Sequence, residues 1–319
     1  MKKRTVASPE MTKEIFQDKD HKGEKTMEEN LNQLIKTDKT SFGSIQPPKP
    51  NKPQIIKPKP LFGTRQWAPY SENCLLGCAH DCRYCYAKAM AIQYKRTTPQ
   101  SWKNEALRPG ILQKTFRKKD GVIMVPSSHD ITPAHLSECL TFLKNILSPG
   151  NEVLIVSKPH LECVKAICNE LCGFKDKILF RFTIGSSDSA TLKAWEPNAP
   201  DFAERLESLK YAFSEGYQTS VSSEPMLDDN IGDVINQVSP FVTDKIWLGK
   251  ANLLRSRLAL NGENDPVTIQ MAKDLMESQT DKNIKQLYSQ YKDNPQIEWK
   301  NSIRKVVGLK ISTVPGTDD

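Results

Sequence analysis

Residues Cys74 to Ala87 read CLLGCAHDCRYCYA, and four of the chain's eight cysteines fall in them. Cys78, Cys82 and Cys85 form a C-x3-C-x2-C triplet, with Cys74 four residues ahead. A short, tight loop of this kind directs three thiols toward one place. With no export signal at the start of the chain, a reducing compartment is expected, and clustered thiols there point to metal rather than disulfides. Cys139, Cys163, Cys168 and Cys172 lie on or beside helical stretches and read as small core residues.

Outward from this loop, short apolar runs recur: Thr64–Tyr70, Val122–Pro126, Val153–Lys158, Ile178–Ile184, Thr219–Ser222 and Lys245–Leu248. Helix-like stretches alternate with them at Ala87–Tyr94, Ala134–Leu147, Leu161–Leu171, Asp201–Glu215 and Asp229–Val238. Pro133 and the Pro200-Asp201 pair mark helix starts, and Gly216 marks a helix end. Uniformly apolar strands alternating with helices predict an α/β fold with a parallel sheet covered by helices. Residues 63–262 are expected to form the core domain. A complete eight-fold barrel takes about 250 residues, so six βα units fit better, and an open doubly wound sheet fits almost as well. Residues 263–319 read as a helical extension packed on the core, with helices at Pro266–Glu277, Lys282–Tyr291 and Trp299–Val307.

The chain has 319 residues, 38% hydrophobic and 26% charged, with a net charge of +7. Residues 1–60 carry thirteen Lys and Arg against eight Asp and Glu, so most of the excess charge is there and the body is nearly balanced. Residues 1–62 read as a disordered, basic tail ending in the proline-rich spacer Pro47–Pro60. The tail could meet nucleic acid non-specifically, although a solvated tail is the commoner use of such a charge run. No run approaches the roughly 20 apolar residues of a membrane helix. No membrane partner and a cytoplasmic location are expected.

Three thiolates suit three irons of a cubane 4Fe–4S cluster and leave the fourth iron open. That iron can chelate the amino and carboxylate groups of S-adenosylmethionine (SAM). The triplet resembles the signature of the radical SAM superfamily. The string GCxHDCxYCYA resembles, within it, the branch holding spore photoproduct lyase and the DNA repair photolyase-like proteins. The similarity continues through Arg181–Asp188, Trp195–Arg205, Gly216–Pro225 and Ile246–Asn252. The resemblance implies a partial (β/α)6 barrel. It also implies a metal-binding, iron-sulfur enzyme that cleaves SAM reductively to a 5′-deoxyadenosyl radical, with its substrate unassigned. A one-electron donor such as flavodoxin or ferredoxin would serve it.

Carried over residue by residue, Cys78, Cys82 and Cys85 become the cluster ligands and the catalytic centre. Tyr84 is placed against the adenine, and Tyr86 is similarly placed beside the cofactor. Ser128 or Asp130, in the VPSSHD segment, would accept from the methionine ammonium. Lys158 would meet its carboxylate. Ser186 and Ser187 would face the ribose. Glu224 and Lys250 end or follow later strands, at the face where barrel active sites are built. His80 is expected outside the ligand set, Arg181 in an interior ion pair, and Arg205 paired with Glu196.

One departure stands out. The lyase branch has a hydrogen-donating cysteine near the end of the second strand, and VPSSHD has no thiol. Repair of a pyrimidine photoproduct by that route, the alternative activity, is therefore put in doubt. A second alternative is a non-enzymatic nucleic-acid-binding protein in which Cys74, Cys78, Cys82 and Cys85 form a structural zinc staple.

Overall fold

The computed structural model describes Leu61 and residues 63–311 and 313–316, all within the unit Lys57–Asp319. The basic, proline-rich tail expected over 1–62 lies outside the described residues, apart from Leu61. Leu61 belongs to the folded body: it is buried, and its carbonyl accepts from Asn301 Nδ2 at 2.8 Å.

Seven strands make one wholly parallel sheet. They are β1 (Tyr70–Ser71), β4 (Ile123–Val125), β5 (Val153–Ser157), β6 (Ile178–Thr183), β7 (Gln218–Ser223), β8 (Ile246–Leu248) and β9 (Ile297–Trp299), in that spatial order. Two further strands, β2 (Leu75–Leu76) and β3 (Ala106–Leu107), pair antiparallel apart from it. The long register is central: Val153 to Ser157 of β5 pair with Ile178 to Phe182 of β6. Ile155, Phe180, Phe182, Val221, Ile246 and Leu248 are fully buried. Burial on both faces keeps β4, β5 and β8 almost continuously apolar, whereas β6 also buries Arg181 and β7 buries Thr219, Ser220, Ser222 and Ser223.

Helices follow the strands. They are α1 (Tyr86–Gln93), α2 (Leu136–Leu147), α3 (Leu161–Glu170), α4 (Ser189–Trp195), α5 (Phe202–Ser214), α6 (Ile231–Val238), α7 (Leu254–Asn261), α8 (Pro266–Ser278), α9 (Asp281–Tyr291) and α10 (Asn301–Val307). Side-chain caps set their starts. Asp188 accepts from Ala190 N and Thr191 N, Asp201 from Glu204 N, and Asp265 from Thr268 N just ahead of Pro266. Among the described residues no helix is long and apolar enough to cross a membrane.

Three expectations are corrected. The strand expected over Thr64–Tyr70 is a 3-10 turn at Gly63–Gln66, and only Tyr70–Ser71 pairs. Pro69 has no amide proton for a ladder, which fits the late start. The extension expected to be helical contributes β9, whose Ile297–Trp299 pair with Ile246–Leu248. The sheet thus has seven parallel strands, not six. It runs from β1 at one edge to β9 at the other, and no ladder among the described residues joins those edges.

Candidate functional site

The C-terminal ends of the strands meet the loop that follows β1. Ser127 and Ser128 lie past β4, Lys158 past β5, Ser186 past β6, Glu224 past β7 and Lys250 past β8. The loop itself is pinned from several directions. Cys78 N donates to Trp102 O at 2.9 Å, Arg83 N to Trp195 O at 2.9 Å, and Ala79 N to Glu105 Oε1 at 3.0 Å. Asn261 Nδ2 reaches Arg83 O at 2.8 Å and Cys85 O at 3.0 Å. Lys88, buried, pairs with Asp81 at 2.7 Å and lies 3.7 Å from Glu263. Gly77 turns the chain at φ +81°, and a Cβ there would stand 2.5 Å from Trp102 O and 2.6 Å from Asn104 O. Only glycine fits both the turn and that close approach.

All three thiols of the triplet are free. Cys82 packs in the main core and Cys78 in a small cluster with Ala87 and Trp102, while Cys85 touches both groups. Burial raises all three pKa values, Cys82 to about 12. Asp130, Cys82 and Cys85 push Cys78 up further. Three sulfurs that disfavour one another's negative charge need a cationic centre to become thiolates together. Cys85 also caps α1, accepting from Lys88 N at 3.4 Å, so the helix dipole favours charge on that sulfur. This donor set fits an iron–sulfur cluster. Among the described residues no three His, Cys, Asp or Glu side chains stand close enough to hold one metal ion. A cluster spreads its thiolates over separate irons, whereas one zinc ion gathers four at a point.

Cys74 turns elsewhere. Its Sγ lies 3.7 Å from Cys139 Sγ and 3.8 Å from His129 Nε2. Among the described residues the four thiols Cys74, Cys78, Cys82 and Cys85 are not gathered at one point.

Tyr84 and Lys158 stand beside Cys82. The Tyr84 hydroxyl donates to Glu196 Oε1, and Lys158 Nζ lies 5.8 Å from the Tyr84 ring centroid and 3.8 Å from Glu196 Oε1. Burial works against the Lys158 charge, but Cys82, Tyr84, Glu196 and Asp130 outweigh it and raise its pKa. Glu196 also meets Arg205 at 2.5 Å, with both side chains at 0% exposure. The expected Glu196–Arg205 pair is present. Glu196 does more than pair with Arg205, since the same carboxylate also meets Tyr84 and Lys158. Only the fold brings these side chains together.

Tyr86 is exposed at its ring, and its hydroxyl donates to Ser127 O. Asn73 Oδ1 accepts from Ser127 N and Ser128 N, each at 2.8 Å. Asp130 is fully committed inside the protein. Its Oδ1 accepts from Ser157 Oγ and from Ile131 N at 2.8 Å. Its Oδ2 accepts from Lys158 N at 2.9 Å and lies 3.2 Å from His80 Nδ1. Burial opposes its charge, but His80, Lys158 and Ser157 hold its carboxyl well below the usual range. The geometry makes Asp130 a brace. Ser128, half-buried, is the VPSSHD residue whose side chain makes no hydrogen bond among the described residues. Ser186 is buried in the α4 capping turn, where its Oγ accepts from Asp188 N at 2.8 Å. Ser187 is half-buried beside it.

His80 is not beside the thiols as a ligand: its Nε2 lies 3.0 Å from His160 Nε2, a contact that no local pattern signals. Arg181 forms the expected ion pair, with Asp244 at 2.9 Å. Glu224 pairs with buried Lys300 at 3.0 Å, and Lys250 lies 3.4 Å from Asp281.

No protein-family model matches the chain. It is 26% identical over 216 residues to an uncharacterized protein of Acidianus two-tailed virus, covering 60% of this chain and 68% of that one. It is 28% identical over 217 residues to an uncharacterized protein of Methanocaldococcus jannaschii, covering 65% and 81%. Among solved structures, spore photoproduct lyase complexed with dinucleoside spore photoproduct aligns with a TM-score of 0.49 at 13% identity, over 77% of this chain and 79% of that one. A cysteine-to-serine variant of that lyase aligns with a TM-score of 0.47 at 15% identity, over 73% and 76%.

Proposed function

We propose that this protein is a radical SAM enzyme of the lyase-like branch, built on its seven-stranded parallel α/β sheet. Cys78, Cys82 and Cys85 would hold a 4Fe–4S cluster. The observation that carries the reading is the pinned C-x3-C-x2-C loop, with Tyr84 and Lys158 set beside Cys82 at the C-terminal ends of the strands. When bound, such a cluster supplies the electron that opens the C–S bond of SAM to give a 5′-deoxyadenosyl radical.

The chain's own residues do the positioning. Lys158 keeps its charge among acidic neighbours and offers a point cation to the SAM carboxylate. Ser128 has hydroxyl lone pairs free for the ammonium. Tyr84, tethered by Glu196, offers an aromatic face for the adenine, with Tyr86 at the rim. Ser187 is the better placed of the two serines past β6 for the ribose, because Ser186 is buried in its turn. Asp130 and Asn73 hold the segments that carry these groups. A small one-electron donor such as flavodoxin or ferredoxin and a cytoplasmic location belong to the same proposal, and the substrate is unassigned.

The test is direct. Protein purified without oxygen is expected to be brown, to contain iron and acid-labile sulfide, and to convert SAM to 5′-deoxyadenosine with dithionite. Cys82→Ala is expected to abolish that conversion, and Cys74→Ala to leave most of it. A colourless protein that binds about one zinc and leaves SAM intact would overturn the reading.

A further inference from the structure

Cys74 and Cys139 are 65 residues apart in the chain, yet their sulfurs lie 3.7 Å apart in the core. Both are free and nearly without solvent contact, at 1% and 2% exposure. A disulfide needs about 2.05 Å between sulfurs, so the pair falls short by less than the length of a carbon–sulfur bond.

Cys74 is also the hinge between two segments of the candidate site. Its amide and that of Leu75 donate to His129 Nε2 at 3.1 and 3.3 Å, and its carbonyl accepts from Arg108 N at 2.8 Å. The preceding residue, Asn73, holds Ser127 and Ser128, and the chain reaches Cys78 three residues after Leu75. His129 Nδ1 lies 2.8 Å from Asp130 O, which fits an N–H at Nδ1 and leaves Nε2 to accept both amides. A bond that draws the Cys74 sulfur toward α2 must pull on Asn73 on one side and on the triplet loop on the other.

We propose that Cys74 and Cys139 are a redox-responsive pair, closed to a disulfide by a peroxide, and that closure displaces the loop bearing Cys78, Cys82 and Cys85. The steps balance. The Cys74 thiolate attacks one peroxide oxygen, the O–O bond breaks, and a sulfenic acid and hydroxide form. The Cys139 sulfur then attacks the sulfenic sulfur, the S–S bond forms and water leaves. Two thiols are oxidised by two electrons, hydrogen peroxide is reduced to two waters, and the thiol protons end in those waters. Cys74 is the attacking sulfur: the hydrogen bond from Cys139 lowers its pKa, while Cys139 is pushed up and keeps its proton until the second step. Hydrogen peroxide, small and uncharged, is the oxidant suited to a buried thiol.

The experiment uses the full chain purified without oxygen. It is treated with hydrogen peroxide, denatured in N-ethylmaleimide and digested, and its peptides are identified by mass. The expected product is a peptide pair joined through Cys74 and Cys139, two hydrogens lighter than its parts and separated by dithiothreitol. Hydrogen exchange at 73–78 and 127–128 is expected to rise more in the oxidised wild type than in Cys139→Ala given the same peroxide treatment. The proposal falls if both cysteines are recovered alkylated while other thiols oxidise, or if Cys74 is found joined to Cys78, Cys82 or Cys85. Exchange that is unmoved by a formed bond would overturn the displacement. Mass reads the bond with or without iron, so its failure is distinct from failure of the cluster reading.

Discussion

Glu196→Gln tests the electrostatic frame of the site. Glu196 is at 0% exposure and touches Tyr84, Lys158 and Arg205. Glutamine keeps the shape and one oxygen for the Tyr84 hydroxyl, but it removes the charge opposite Arg205. Removing one partner of a buried ion pair costs about 3–5 kcal/mol. Arg205 retains Nε to Pro200 O at 2.8 Å and Nη1 to Thr183 O at 3.1 Å, which partly solvate it. The lower end, about 3 kcal/mol, is therefore expected. At about 2–4 °C per kcal/mol for a domain of this size, the melting temperature should drop by about 6–12 °C. Urea unfolding followed by circular dichroism is the assay, and the midpoint should fall with an unchanged m-value. The double variant Glu196→Leu with Arg205→Met should lose less than the single one, because both buried charges leave together. A Glu196→Gln protein within about 0.5 kcal/mol of wild type would refute the claim that this carboxylate is a desolvated counter-ion.

Other perturbations reach the same loop and its brace. Gly77→Ala should lose more than about 2 kcal/mol, since the left-handed backbone alone costs about 1–2 and the new Cβ meets two carbonyls; reconstituted iron per chain should fall with it. Asn261→Ala removes the amide that holds Arg83 O and Cys85 O and should cost about 1–3 kcal/mol in urea unfolding. In acid, Asp130 and Glu196 have folded pKa values below their unfolded ones, so their stabilisation is complete above the ordinary carboxylate range and is lost as pH falls through the lowered values. Unfolding free energy measured from pH 6 downward should therefore decline below about pH 4, with a shallower slope in Asp130→Asn; an equal slope would show that Asp130 carries no such shift.

Much of the α/β frame was legible because it is written locally. The runs VIMVP, VLIVSK, ILFRFTI, TSVS and KIWL became β4 to β8 within a few residues, since strands buried on both faces are mostly apolar along their length, the Ser- and Thr-rich β7 being the exception. Helix starts at Asp201 and Pro266 were equally visible, because a cap is a contact over three residues. The two-residue β1 and the late strand β9 were not visible. Their pairing depends on partners at Ile123–Met124 and Ile246–Leu248, and three residues such as Ile297–Trp299 carry no usable period.

The same division runs through the site. Spacing alone put three thiols in one tight loop and placed Lys158, Ser128 and Glu224 near strand ends, because chain order dictates both. What Asp130 does was decided by His80, Ser157 and Lys158 N, which fill its oxygens from two other segments. The threefold grip of Glu196, and the meeting of Cys74 with Cys139, likewise belong to tertiary structure. Local sequence sets which groups are available and how the backbone bends. Which buried charge or thiol meets which is decided only when distant segments exclude water from one another.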